Sequence, residues 1–242
     1  VPLTHREAYD RLVTYIMSVG PTFDSGTRTL GAAPLYHTVG MHWIFLQTVL
    51  PNGTYYAEPK VGPGTAELIQ REGLTYLFGS PALFKMLLEK DFDRPAESVT
   101  HIAYGSAPVG QELLDMLQRN SPRAMITERY GTPELSIPSV TPPMSGREPG
   151  TLRRTADHRL RVVEIGGSVE NEVDAGELGE LVVHMGNPGV FRSYWGPEGD
   201  AKLAKNVEDG WFRTGDGFRR DDDGNYYFDG RLDDMFVSGG EN

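Results

Sequence analysis

The stretch Leu74-Thr75-Tyr76-Leu77-Phe78-Gly79-Ser80-Pro81-Ala82-Leu83-Phe84-Lys85-Met86-Leu87-Leu88-Glu89 decides the fold class. It opens with a short apolar run from Leu74 to Phe78, the mark of a strand buried on both faces. Gly79 ends the run. Ser80 then offers a side-chain oxygen to the free N–H groups of a helix start, and Pro81 suits a first helical turn, where its missing N–H costs nothing. Ala82 to Glu89 continues as that helix. A buried strand followed at once by a helix is half of a strand–helix–strand unit, and the strands of such units run parallel.

Outward from this stretch the alternation continues. Arg6 to Val19 carries apolar residues at 8, 9, 12, 13, 16 and 17, one face of a helix. Arg28 to Ala33 reads as a strand ended by Pro34, and Thr65 to Glu72 as a helix ended by Gly73. His101–Tyr104 is a strand, Val109–Arg119 a helix and Ala124–Thr127 a strand. From about residue 150 the character changes to short β runs between glycine turns: Leu160–Ile165, Glu180–His184, Trp211–Thr214 and Tyr226–Phe228. Asp221-Asp222-Asp223-Gly224-Asn225 reads as a hairpin turn, and one helix is expected near Asp200–Lys205. The expected architecture is α/β: a parallel-sheet part over residues 1–137, then a β-rich, barrel-like subdomain over residues 138–232. The connection is Pro138 to Gly150, with four prolines and two glycines.

Composition narrows the function. The 242 residues are 38% hydrophobic and 24% charged, enough apolar material for a core. The net charge of −11 argues against a general nucleic-acid or anionic-membrane surface, yet leaves room for a local phosphate site built from backbone N–H groups. With no cysteine, disulfides, thiolate catalysis and cysteine-based zinc sites are excluded, which suits a cytoplasmic protein. No apolar run is long enough to cross a bilayer. The histidines are scattered, without metal-ligand spacing. Oligomeric state is open, a dimer being compatible with the sequence.

Several short blocks carry possible chemistry. Glu128-Arg129-Tyr130-Gly131-Thr132-Pro133-Glu134 follows a buried strand, at the carboxyl end where open α/β sheets bind ligands. There Tyr130 can stack on a base, Gly131 lets backbone approach, and Glu134 can hold a divalent cation. In Trp211-Phe212-Arg213-Thr214-Gly215-Asp216, the carboxylate after a glycine turn can accept bonds from a diol. Arg231, in Gly230-Arg231-Leu232-Asp233, lies across the hairpin from it. Gly105-Ser106-Ala107-Pro108 is a small-residue turn between strand and helix. His37 starts the loop Pro34-Leu35-Tyr36-His37-Thr38-Val39-Gly40. Taken singly, each block also fits an ordinary turn.

Taken in order, these blocks resemble the adenylate-forming superfamily of acyl- and aryl-CoA ligases, peptide-synthetase adenylation domains and luciferases. Gly179-Glu180-Leu181-Val182-Val183 and Tyr194-Trp195 supply the intermediate blocks. Ser238-Gly239-Gly240-Glu241-Asn242 looks like the CoA ligases, and the looks of Arg161–Gly167 and His37–Gly40 are similar to 4-chlorobenzoate–CoA ligase, with fatty acid–CoA ligases close behind.

The resemblance implies ATP-dependent activation of an aryl or medium- to long-chain carboxylic acid through an acyl-adenylate, then transfer to CoA, with Mg²⁺ as cofactor. It implies Glu134 on Mg²⁺; Tyr130, Gly131, Thr132 and the turn Gly105, Ser106 and Ala107 around the nucleotide; Asp216 on the ribose; and Arg231 near ribose and phosphate. It places His37 at the acid carboxylate, Asp233 at the hinge of a C-terminal domain beginning in residues 233–242, and Gly239 and Gly240 along the pantetheine passage. It also implies a chain incomplete at both ends and, alone, inactive. Pro133 departs from the family pattern, which has a threonine there. Two alternatives follow: an adenylation module that loads a carrier-protein thiol, and a degenerate nucleotide-binding module without ligase activity.

Overall fold

In the computed structural model, Ser80 Oγ accepts the Leu83 N–H at 3.3 Å and caps the helix that begins at Pro81. The structure describes residues 1–19, 23–58, 61–62, 64–90, 96–107, 109–140 and 150–234. The elements in chain order are α1 (His5–Val19), β1 (Arg28–Gly31), a π-helical segment (Val39–Phe45) leading into α2 (Leu46–Val49), β2 (Thr54–Ala57), α3 (Thr65–Arg71), β3 (Tyr76–Gly79), α4 (Pro81–Lys90), β4 (His101–Gly105), α5 (Gln111–Asn120) and β5 (Met125–Thr132). There follow β6 (Ser136–Val140), β7 (Leu152–Arg154), β8 (Leu160–Val163), β9 (Gly179–His184), α6 (Gly199–Ala204), β10 (Val207–Glu208), β11 (Trp211–Arg220), β12 (Asn225–Arg231) and a 3-10 turn (Leu232–Asp234). They form two compact units, one built on residues 15–130, the other on residues 1–14, 131–139 and 151–234.

The first unit is the expected α/β part. Its strands are parallel in the order β2-β1-β3-β4-β5. Every residue of β3 and β4 is buried, as strands covered on both faces must be. Leu77, Ile102 and Tyr104 meet Phe84 and Leu117 of the covering helices in one core, together with Leu30, Ile69 and Leu74. Each such fully buried side chain contributes roughly 1.5–3 kcal/mol. The π-helical segment with α2, and the edge strand β2, were not anticipated. Gly40 is the residue that the π-helical segment requires, since a Cβ there would lie 2.1 Å from the Pro34 carbonyl oxygen.

The second unit is antiparallel, in the order β7-β12-β11-β9-β8, with β10 on β11. Val163, Val169, Val182 and Trp211 form one buried cluster. The hairpin turn before β12 is as expected: Asp221 accepts the Asn225 N–H at 2.8 Å, and Gly224 takes the left-handed φ of +76°. In this unit α1 starts in a capping box, Thr4 Oγ1 accepting from the Glu7 N–H at 3.2 Å and Glu7 Oε2 from the Thr4 N–H at 2.8 Å. Among the described residues, no helix is long and apolar enough to cross a membrane.

Candidate functional site

In the parallel unit, the carboxyl ends of β1, β3 and β4 border one cleft of about 420 Å³. Ala32, Pro34, His37 and Val39 line it from the segment after β1, Phe78, Gly79, Ser80 and Leu83 from β3 and α4, and Ser106 from the turn after β4. His37 is exposed. Its Nδ1 accepts the Val39 N–H at 3.2 Å, which puts the proton of the neutral ring on Nε2 and makes that nitrogen a donor. The turn Gly105-Ser106-Ala107 runs close to the neighbouring strand. A Cβ on Gly105 would sit 2.6 Å from the Arg129 carbonyl oxygen, and Ser106 adopts a left-handed φ of +74°. Ser106 and Ala107 are exposed, whereas Tyr130, at the end of the unit's β5 residues, is half-buried.

Beside Tyr130 lie two groups that the sequence did not single out. Arg129 is buried, its guanidinium donating to the hydroxyls of Tyr15 and Tyr76, to the Trp43 carbonyl at 3.3 Å and to Gln47 Oε1 at 3.4 Å. It also lies over the Tyr15 ring, 3.9 Å from the centroid. On the neighbouring position, Glu128 accepts from the Tyr104 hydroxyl at 3.1 Å, and burial raises its pKa against the help of that bond and of the Gly150 N–H. A buried arginine at a strand's end resembles an exposed one in sequence. Only the phenols 114 and 53 residues away reveal it.

In the antiparallel unit, Gly131, Thr132 and Glu134 form a tight turn. A Cβ on Gly131 would lie 1.9 Å from the Ser136 carbonyl oxygen, so only glycine fits. Thr132 Oγ1 accepts the Leu135 N–H at 3.3 Å, keeping its own hydrogen for another acceptor. Arg11 fixes this turn from α1. It donates to the carbonyls of Pro133 at 2.9 Å, Glu134 at 3.2 Å and Gly189 at 2.7 Å, and burial pushes its pKa down to about 10 despite Glu7 and Glu134 nearby. Glu134 Oε1 accepts from the Tyr194 hydroxyl at 3.2 Å, and burial with that carboxylate pushes the phenol up to about 12.

The same unit holds the Thr214-Gly215-Asp216 turn. Thr214 Oγ1 donates to the Leu181 carbonyl at 2.7 Å and accepts the Asp216 N–H at 3.0 Å. Gly215, with φ +69°, donates its N–H to Glu180 Oε1 at 3.0 Å, and Arg213 holds the other Glu180 oxygen at 2.7 Å. Asp216 is buried. Arg231 reaches it from the facing strand, with Nη1 at 3.0 Å from Asp216 Oδ1 and 3.0 Å from the Thr214 carbonyl. Arg231 Nη2 lies 3.9 Å from the exposed Asp233. Gly239 and Gly240 lie outside the described residues.

The structure thus joins His37 with Ser106 on one cleft, and Asp216 with Arg231 and Asp233 in one charged row. Chemically, these are a ring donor in an apolar-walled cleft, a buried carboxylate held by a half-exposed guanidinium, and a carboxylate on a rigid turn. Among the described residues there is no cluster of three metal-ligating side chains. Glu134 fits Mg²⁺ nonetheless, since that ion is usually held by one or two carboxylates with water and substrate phosphates completing its shell.

A model of the AMP-binding enzyme family matches residues 1–195. 4-chlorobenzoate–CoA ligase from Arthrobacter sp is 31% identical over 246 residues, covering 100% of this chain and 46% of the relative. Feruloyl-CoA synthase from Amycolatopsis sp is 31% identical over 235 residues, covering 90% and 44%. The crystal structure of ATP-bound MatB from Rhodopseudomonas palustris matches with a TM-score of 0.87 at 26% identity, over 99% of this chain and 46% of that one. The chain spans about half the length of the curated relatives it matches.

Proposed function

We propose, from the premise that this chain belongs to the AMP-binding enzyme family, that the complete protein activates an aryl carboxylic acid with ATP and transfers the acyl group to CoA. The observation that carries the reading is the Asp216–Arg231 pair at 3.0 Å beside a glycine turn braced by Glu180. It is a preorganised carboxylate, suited to a ribose diol, with a cation at its side for ribose or phosphate oxygen.

In the first step an oxygen of the acid attacks the α-phosphorus of ATP and the bond to pyrophosphate breaks, giving the acyl-adenylate. In the second the CoA thiolate attacks the acyl carbonyl and AMP leaves. Both steps gather negative charge, so donors must be in place beforehand. Tyr130 stacks on the adenine, with the backbone of Gly105, Ser106 and Ala107 against it and Gly131 and Thr132 beside the phosphates. Asp216 takes the ribose hydroxyls and Arg231 holds Asp216 in place. His37 donates from Nε2 to the acid carboxylate. Glu134 holds Mg²⁺, which neutralises phosphate charge when bound. Asp233 is the hinge residue.

The aryl substrate is supported by the names of the relatives and by the cleft. At about 420 Å³ the cleft lies towards the small end of ligand pockets, which suits a single-ring acid better than a long chain. Pro133 removes a hydroxyl from the turn, but Thr132 retains a hydrogen to donate, so adenylation is expected to persist.

The test is pyrophosphate exchange by the complete protein over benzoates, cinnamates and fatty acids. Exchange with aryl acids at least roughly tenfold above long-chain acids is expected. Exchange with none, alongside intact AMP binding, would replace the reading by a nucleotide-binding module. Comparing CoA with a phosphopantetheinylated carrier protein as acceptor separates ligase from loading module.

A further inference from the structure

We infer that Gly79 and Leu83 together form the wall that limits the size of the acid, and that Leu83 is the specificity-determining residue of the cleft. The inference rests on the reading of that cleft as the acid site.

Both residues line the cleft. β3 brings Gly79 to its carboxyl end, and the cap on Ser80 fixes Leu83 in the first turn of α4, its N–H 3.3 Å from Ser80 Oγ. Helical side chains lean towards the helix N-terminus, so Leu83 leans back over the strand end. A Cβ built on Gly79 would lie 2.5 Å from Leu83 Cδ2, 3.3 Å from Cγ and 3.4 Å from Cβ. The Leu83 isobutyl group thus occupies the space that any side chain at position 79 would need. The two positions share one volume: a methyl added at 79 displaces Leu83 and narrows the cleft, and shortening Leu83 widens it.

The clash falls on the end of a flexible, half-buried side chain rather than on backbone, so the substitution moves the wall without breaking the fold. The wall around it is apolar where Phe78 and Val39 contribute and hydroxylic where Ser80 and Ser106 do. An aromatic ring suits the apolar part of this wall.

The experiment measures kcat/KM of the complete protein for benzoates with hydrogen, methyl, ethyl and propyl at the para position. Leu83→Ala is expected to shift the preference towards the longer substituents by roughly tenfold or more, and Leu83→Val by less. Gly79→Ala is expected to shift it the other way, with KM for ATP unmoved. The double variant Gly79→Ala/Leu83→Ala should return towards the original ranking, because the added methyl then fills space that Leu83 has vacated. An unchanged ranking in the folded single variants overturns the inference while leaving the ligase reading intact. Failure of the original protein to activate any acid overturns both.

Discussion

Asp216 and Arg231 are register partners across β11 and β12, and their side chains are 4% and 47% exposed respectively. The carboxylate is held on the inside and the cation stands at its mouth. Asp216→Ala removes the acceptor and leaves Arg231 with the Thr214 carbonyl at 3.0 Å. A hydrogen bond to a charged group contributes about 1.5–3 kcal/mol, so KM for ATP is expected to rise roughly 10- to 100-fold. An unchanged KM in a folded variant would remove Asp216 from the nucleotide site.

Tyr194 offers a milder perturbation of the cation site. Its hydroxyl is 3.2 Å from Glu134 Oε1 and helps fix the carboxylate's orientation. Tyr194→Phe is expected to raise the Mg²⁺ concentration for half-maximal activity by up to roughly tenfold, with KM for the acid unmoved. A Mg²⁺ dependence identical to the original would show that Glu134 needs no such support, or holds no ion.

Arg129 carries stability. Arg129→Met leaves the Tyr15 and Tyr76 hydroxyls and the Trp43 carbonyl without their buried donor. Each group left without any partner costs about 1–3 kcal/mol, and because the Tyr15 hydroxyl keeps its hydrogen bond with Thr127, a total of about 3–5 kcal/mol is expected in urea unfolding. A loss below about 1 kcal/mol would show that the cage is replaceable by packing alone.

The sequence made the parallel unit legible because β3 and β4 are buried on both faces and their helices are capped by ordinary signals such as Ser80 and Pro81. It put Asp216 and Arg231 on facing strands of one hairpin through the turn at Asp221 and Gly224, but not in their final register: the turn alone sets Asp216 opposite Gly230, and a β-bulge between Gly217 and Phe218 moves it to Arg231. It did not reveal β2, whose Thr54-Tyr55-Tyr56-Ala57 is an edge strand without buried residues, nor the π-helical segment, whose Val39, Met41, Trp43 and Phe45 alternate with the period of a strand rather than a helix. The Arg129 cage and the Arg11 anchor were hidden for a common reason. Long charged side chains look alike in sequence, and their burial is decided by partners far along the chain.

His101 gives a pH signature. Burial first and Arg129 second push its pKa down to about 3, its Nε2 lying 3.0 Å from Thr127 Oγ1. The unfolded chain takes up a proton below about 6.5, whereas the folded one refuses it until about 3. Stability is therefore full above that window and falls as pH falls through it, by up to about 1.4 kcal/mol per pH unit. His101→Gln, which cannot titrate, is expected to flatten the dependence of the urea midpoint between about pH 6.5 and 4. The same slope in both proteins would assign the acid sensitivity to other groups.

Arg11 ties α1 to Gly189, a residue 178 positions later, and to the turn at Pro133 in between. On the ribosome, Arg11 cannot be seated until Gly189 has been synthesised, so residues 1–14 wait for the later part of their unit. Non-local closure of this kind is slow and leaves apolar surface uncovered meanwhile. Residues 1–14, although made before the rest of their unit, are thus among the last of it to find their place, and substitutions at Arg11 should register in the yield of folded protein as well as in its equilibrium stability.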